Sequence, residues 1–187
     1  MSTRTTLAVF IAASLDGYIA REDGDITWLT GRAGEGEDYG YGEFSAGIDR
    51  IVLGRRTFEK VLTFGAWPYG RTPVVVLSRS LRPEAMPRGL PDTVRVDAGG
   101  AAELAARLAA EGARKAYIDG GKTIQSFLEA GLVDELTITT IPVLLGAGIP
   151  LFGRLSSVVD LEHLRTRAWP NGFVQSTWVR GGARAAQ

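Results

Sequence analysis

Apolar residues in this chain fall into short runs separated by polar stretches rich in glycine and proline. The first run, residues 7–12, is continuous and predicts a central strand buried on both faces. Asp16-Gly17 then marks a turn, and residues 18–20 resume an extended segment. Residues 21–25 (REDGD) read as a polar loop. Residues 31–42 are rich in glycine and acid with no clear period, which predicts a mobile loop or a short helix near residues 39–46. Residues 51–53 form a second short strand. Residues 55–62 read as a helix, with Phe58 and Leu62 four apart on one face. Residues 67–70 form a loop, and the β-branched run 73–77 (PVVVL) is a third buried strand.

The stretch 82–92 contains three prolines and is predicted to be irregular. A short strand follows over 93–96. Residues 101–111 are the clearest helix, alanine-rich with Leu104 and Leu108 at i,i+4, and Gly112 suits its C-terminal cap. Residues 115–118 form a strand and 123–130 a helix that Gly131 ends. A strand over 136–141 leads into the apolar, glycine-bent segment 142–148. Residues 158–169 and 173–180 alternate as an antiparallel pair joined at Asn171-Gly172. The order β, α, β, β, α, β, α, β and a terminal hairpin predicts an α/β fold with crossover helices and an antiparallel edge.

The chain has 187 residues, enough for one domain, expected over residues 1–180, with a disordered tail at 181–187. No internal repeat and no linker interrupts it. The 21 basic residues balance the 21 acidic ones, so nothing matches the basic stripe of a nucleic-acid binder. The absence of cysteine excludes disulfides, thiolate catalysis and cysteine-ligated metals. His163, the single histidine, makes a multi-histidine metal site impossible within one chain, so no metal site is expected. Arg4 before the apolar run 7–15 superficially resembles a signal peptide. The run is short and leads into Asp16-Gly17, which a buried first strand explains better. No segment approaches the roughly 20 apolar residues of a membrane helix, and the expected location is the cytoplasm.

The candidate chemistry lies where apolar runs meet glycine. Residues 115–127 read K-A-Y-I-D-G-G-K-T-I-Q-S-F, a strand, a glycine pair and a helix. Glycine lets backbone approach a ligand closely, and the helix start offers free N–H groups and the positive end of its dipole. Residues 51–58 repeat the layout with Gly54, Arg55, Arg56 and Thr57. Two phosphate-type sites in one domain suggest a nucleotide with several phosphates, and neither matches the G-x-G-x-x-G dinucleotide fingerprint. Each feature also has a plain structural reading. The glycines could be turn residues, Asp16 a turn former, Ser78-Arg79 a strand end, and Trp28 or Thr139 core residues.

Taken together, residues 13–20 (ASLDGYIA), 53–59 (LGRRTFE), 77–79 (LSR), 119–121 (DGG) and 142–146 (PVLLG) resemble the dihydrofolate reductase superfamily. The nearest branch is the reductase domain of the riboflavin-biosynthesis deaminase-reductase and its stand-alone relatives. The similarity runs from about residue 7 to residue 180, with the motifs in the family's order. It implies a dihydrofolate reductase-like three-layer α/β fold, with a central mostly parallel sheet, an antiparallel C-terminal hairpin and flanking helices. It also implies NADPH as hydride donor, a small-molecule substrate and a homodimer.

Carried over by motif, Ala13 and Ile19 would flank the nicotinamide. Gly54, Arg55, Arg56 and Thr57 would meet the pyrophosphate and adenosine side. Ser78 and Arg79 would lie near the 2′-phosphate, and Gly120, Gly121, Thr123 and Ile124 would hold the central phosphates. Trp28 matches a tryptophan over the active site, and Thr139 a threonine at the substrate pocket. The family's dihydrofolate-reducing members carry a carboxylate shortly after that tryptophan. Here residues 29–33 contain no acid, which leaves Glu35, Glu37 and Asp38 as replacements, and Asp16 and Asp25 as substrate-side carboxylates. The resemblance thus implies a reductase acting on a C=N or C=O bond of a small pteridine- or pyrimidine-like molecule. Two alternatives stay open: a non-catalytic NADPH-binding module, and a dihydrofolate reductase with a relocated acid.

Overall fold

The computed structural model describes residues 4–181. The expected tail lies outside the described residues except for Gly181, whose N–H donates to Asp160 O. The elements are β1 (Thr6–Ser14), β2 (Tyr18–Ala20), α1 (Thr27–Thr30), α2 (Tyr41–Ala46), β3 (Arg50–Gly54), α3 (Arg55–Val61), β4 (Val74–Leu77), β5 (Val94–Asp97), α4 (Ala101–Ala110), β6 (Lys115–Asp119), α5 (Gly121–Glu129), β7 (Glu135–Ile141), β8 (Ile149–Pro150), β9 (Leu161–Ala168) and β10 (Val174–Arg180). Among them, α1 and β8 have no counterpart in the sequence pattern. Four residues and two residues are too short to carry a period of their own.

Eight strands form one sheet in the order β5-β4-β3-β6-β1-β7-β10-β9. The first six are parallel, and β10 and β9 add an antiparallel edge. A separate antiparallel pair joins β2 to β8. This is the α/β class expected from the order of elements. The hairpin turn lies between Trp169 and Phe173, with Gly172 at φ +85. The expected β9 loses its first residues: Val158 is 87% exposed and the strand starts at Leu161.

Alternation along the strands builds two cores. Leu7, Val9, Val52, Val75, Ala116 and Ile118 face α4 and α5, against Leu104, Leu108, Ile124 and Phe127. Ile51, Leu53, Val74, Val76 and Tyr117 face the other way, toward Phe58 of α3 and Phe44 of α2. The successive side chains of a strand point to opposite faces, so one run of apolar residues serves both layers. A smaller cluster of Trp28, Ile141 and Phe173 takes in Val143 and Leu145 from the segment after β7. The rest of that segment is mixed, with Leu144 69% and Phe152 48% exposed.

Glycines let the ends of β3 and β6 close on each other. A Cβ on Gly54 would collide with Thr123 Oγ1, and one on Gly120 with Thr57 Oγ1. Each glycine of one turn thus makes room for a threonine of the other. Gly54 has φ −72, which any residue adopts, so its only conflict is with the hydroxyl. Gly120 has φ +98, which strains any L-residue as well. Gly54→Ala is expected to lower unfolding stability by about 1–3 kcal/mol through overpacking. In a Thr123→Ala background that cost should shrink by about 1 kcal/mol or more, as read in a urea-unfolding double-mutant cycle. Equal costs in both backgrounds would contradict the interlock.

Candidate active site

The connections leave the sheet in two directions. From β1 and β3 the chain moves toward the β5 edge across the face of α2 and α3. From β5 and β6 it returns toward β7 across the face of α4 and α5. The directions part at β6, which lies between β3 and β1. In open α/β sheets, the crevice outside the carboxyl ends at such a switch is where ligands bind. The ends that meet here are Ser14, Gly54 and Asp119.

Several expected cofactor residues converge on this crevice. Gly54, Thr57, Gly120 and Thr123 interlock as described, and Ile19 Cδ1 would stand 3.0 Å from a Cβ on Gly121. α5 begins at this point with no side-chain cap, so its first N–H groups face the crevice without intrahelical partners. α3 also begins uncapped, but it spans only seven residues. Ile124 does not join the group. Its side chain is fully buried in the α4–α5 core, and its N–H donates to Gly120 O at 2.8 Å. The glycine pair, expected to clear room for pyrophosphate, first clears room for protein.

Ala13 meets the crevice through backbone. β1 pairs with β6 only over Thr6, Leu7 and Ala8, but with β7 as far as Ser14. Beyond Ala8 the two strands part, which leaves the β6-facing edge of β1 open. Tyr117 spans part of the gap, its hydroxyl donating to Phe10 O at 2.9 Å.

At the end of β4, Ser78 is buried, and its Oγ accepts from Leu81 N at 3.0 Å, which ties the following turn. Arg55 is engaged: its Nε donates to Glu59 at 2.6 Å and its Nη1 to Ser80 Oγ at 3.0 Å. Arg56 and Arg79 are exposed and form no ion pair among the described residues. The first cation after β3 is therefore committed locally, and the next two are available.

The expected acids are committed to turns. Asp16 accepts from Ser14 Oγ (2.6 Å), Leu145 N (3.1 Å) and Gly146 N (2.7 Å), which pins the segment after β7 to the end of β1. The hydroxyl of Ser14, with these backbone donors, holds its carboxyl below the usual range. Asp25 accepts from Thr27 Oγ1 at 2.6 Å at the start of α1, and that bond lowers its carboxyl too. Asp38 accepts from Gly40 N (2.8 Å) and Gly42 N (2.9 Å), and those amides lower it. Glu37 bonds Tyr39 N, and Glu35 is exposed. None of the three aspartates is set up to carry a proton near neutral pH.

Trp28 is 3% exposed against Ile141 and Phe173, and its buried Nε1 has no partner. Thr139 is buried on β7, where its Oγ1 accepts from Gln175 Nε2 at 2.9 Å. Gln175 Nε2 also donates to Tyr39 O, so the hairpin supports the loop before α2.

One acid stands apart, and the sequence motifs alone assign it no role. Asp119 ends β6 on the α2–α3 face, half-buried, with Oδ1 accepting from Gly120 N at 2.7 Å. It forms no salt bridge among the described residues. Burial pushes its carboxyl up to about 6, against the Gly120 amide and nearby Tyr117, which favour the charged form. Tyr117, Tyr69 and Tyr41 are raised in turn, first by their own burial and then by the charge of Asp119. The available signal was an acid ending an otherwise apolar strand, Ala116-Tyr117-Ile118-Asp119.

Because the folded carboxyl keeps its proton to a higher pH than the ordinary 3.8, its contribution is complete below pH 4 and is lost as pH rises through about 6. Asp119→Asn retains the acceptor for Gly120 but cannot titrate. Relative to wild type it is expected to gain about 1–3 kcal/mol between pH 4 and pH 8, since each tenfold change in proton affinity is worth about 1.4 kcal/mol. Urea unfolding at the two pH values measures this, and a pH-independent difference would contradict it.

Comparison with known proteins agrees with this architecture. The family model of the RibD C-terminal domain matches residues 5–175. The uncharacterized protein YwjB of Bacillus subtilis (strain 168) is 39% identical over 96% of this chain and 99% of its own. A crystal structure from Shewanella sp. PV-4, of a protein assigned provisionally to riboflavin biosynthesis, superposes with a TM-score of 0.88 at 39% identity, covering 94% of this chain and 99% of that one. The Thermotoga maritima diaminohydroxyphosphoribosylaminopyrimidine deaminase/5-amino-6-(5-phosphoribosylamino)uracil reductase shares the fold, with a TM-score of 0.70 at 15% identity, over 95% of this chain and 57% of that one. Matched by that model along most of its length, the chain belongs to the RibD C-terminal domain family.

Proposed function

We propose that this chain is an NADPH-dependent reductase that transfers hydride to a C=N or C=O bond of a small pyrimidine- or pteridine-like molecule. The observation that carries this reading is the meeting of the interlocked turns Gly54–Thr57 and Gly120–Thr123 with the uncapped start of α5 at the switch point of the sheet. Membership of a family with a named uracil reductase among its structural neighbours supports the reaction class.

The residues present fit the cofactor. The N-terminal amides of α5, with Thr57 and Thr123, are donors suited to the central phosphates. The open edge of β1 near Ala13, with Ile19 over Gly121, suits a flat amide-bearing ring. Arg79 and Arg56 carry uncommitted charge for a 2′-phosphate, whereas Ser78 shapes the turn that presents Arg79. When bound, NADPH supplies the hydride, and the chain must orient the acceptor, exclude water and supply a proton. Trp28 and Thr139 lie on the α2–α3 side of the sheet with Tyr39 and Gln175, which makes that side the substrate side.

The homodimer belongs to the same reading. Exposed Leu144, Phe152, Leu161 and Leu164, together with the edge strand β9, are apolar surface that a second copy would cover.

Titration of purified protein, read by tryptophan fluorescence, should give saturable NADPH binding tighter than NADH. A charge-assisted hydrogen bond contributes about 1.5–3 kcal/mol, so Arg79→Ala should weaken NADPH binding about tenfold to a hundredfold. NADH binding should be nearly unchanged. If neither nucleotide bound, the glycine turns would be packing devices alone and the reading would fail.

A further inference from the structure

The α2–α3 face of the sheet carries a polar strip where it meets the hairpin. Thr137 and Thr139 on β7 stand opposite Thr177 and Gln175 on β10, and all four residues are buried. Thr137 and Thr177 bond each other, with 3.0 Å between the hydroxyls. Thr139 is held differently. Gln175 Nε2 lies 3.0 Å from Tyr39 O and 2.9 Å from Thr139 Oγ1. A backbone carbonyl can only accept, so the group beside Tyr39 O is the amide NH2 and not the amide oxygen. The same NH2 gives its second hydrogen to Thr139 Oγ1. The proton of Thr139 must therefore turn elsewhere, and among the described residues it has no acceptor.

Tyr39 is fixed well enough to set this orientation. Its ring packs on Trp169 and Phe173, and its hydroxyl accepts from Gly34 N at 2.6 Å and Asn171 Nδ2 at 2.8 Å. A second donor lies in the same neighbourhood. Trp28 clusters with Ile141, two residues beyond Thr139 on the same face of β7, and its buried Nε1–H has no acceptor. A buried donor without a partner is costly, so two of them in one place point to a ligand that supplies acceptors.

We propose that Gln175 is a positioning residue that commits Thr139 to donate, and that the site thereby selects a planar heterocycle presenting an oxo oxygen over one presenting an amino group. The inference rests on the reductase reading above and deepens it by naming the chemistry that the substrate shows to β7. A threonine hydroxyl by itself discriminates little, because it can donate or accept. With Gln175 on one lone pair, what is missing is an acceptor for the proton. An oxo oxygen supplies it. An amino group would take the remaining lone pair and leave the proton buried without a partner. A site built around a committed hydrogen bond rejects an analogue that cannot complete it far better than an apolar pocket does. Gln175 lies 36 residues from Thr139 and 136 from Tyr39 in sequence, so no local motif marks it.

Lumazine and 2,4-diaminopteridine share one flat ring system without phosphate and differ in oxo against amino groups at both exocyclic positions. The experiment measures, by calorimetry, the binding of each to the full chain saturated with NADP⁺, which has no hydride to give and so holds the mixture at equilibrium. Wild type should bind lumazine about tenfold tighter or more. Thr139→Val should bring the two affinities within about threefold of each other. In Gln175→Glu the introduced carboxyl, ionised or with its proton on Tyr39 O, has no hydrogen left for Thr139 and accepts from it instead. That variant should bind 2,4-diaminopteridine at least as tightly as lumazine, with NADP⁺ affinity unchanged, which shows that it is folded. A loosened loop alone would weaken both ligands alike and keep their ratio. If glutamate is not tolerated at 175, Thr139→Val decides the case. A wild type that takes up NADP⁺ but prefers neither ring, prefers the diamino ring or binds neither overturns the oxo preference and leaves the reductase reading standing. A Thr139→Val or a folded Gln175→Glu that keeps the wild-type ratio overturns the direction-setting role. A wild type that binds neither NADPH nor NADP⁺ overturns both readings.

Discussion

Everything at the crevice depends on how closely the ends of β3 and β6 approach. Gly54 and Gly120 lack the Cβ atoms that would strike Thr123 and Thr57, and Gly121 leaves room for Ile19. Side chains at these positions would push apart the two strands and the helices that follow them. α5 would then no longer start beside the end of β3, and its free amides would no longer share a crevice with β1. Close packing of this kind is stiff, because interiors are filled at near-crystalline density and give little. The glycines thus act first on the protein, and only through it on any ligand.

The carboxylates divide by environment. Asp16, Asp25 and Asp38 sit in loops, collect backbone amides and hydroxyls, and stay charged. They stabilise turns, as short acidic side chains beside glycine commonly do. Asp119 sits at a strand end among phenol rings, with one amide and, among the described residues, no ion-pair partner, and its charge is disfavoured. Such an arrangement opposes stability at neutral pH. Groups of this kind concentrate where chemistry needs a poised proton, and an asparagine would fold more easily in the same place.

The C-terminal hairpin has a part in the site that its edge position does not suggest. Gln175 reaches both Thr139 and the carbonyl of Tyr39, and Asn171 Nδ2 donates to Tyr39 Oη at 2.8 Å. Tyr39 itself has φ +52, uncommon for a residue with a side chain, and these bonds keep it there. The glycine-rich stretch before α2, read from sequence as a mobile loop or a short helix, is therefore tied to β10 and the hairpin turn. Trp28 lies beneath it in a cluster that includes Phe173 of that turn.

The sequence by itself determined most of the layers. Runs of β-branched and apolar residues at 7–12, 51–53, 73–77 and 136–141 are strands because nothing else buries such runs on two faces. Glycines at 112 and 131 stop two helices as their φ values of +77 and +65 require. The motifs at Gly54 and Gly120-Gly121 were visible as strand-to-helix turns, and their convergence at one crevice agrees with the family resemblance. Tertiary structure alone decided which groups those turns leave free. It took Arg55 for Glu59 and Ser80, Asp16 for the segment after β7, Ser78 for its own turn and Ile124 for the core. Among the described residues, it left Asp119 without a cation. Local sequence sets backbone preference over a few residues. Whether a charged side chain has a partner depends on residues far along the chain, brought near only by the sheet.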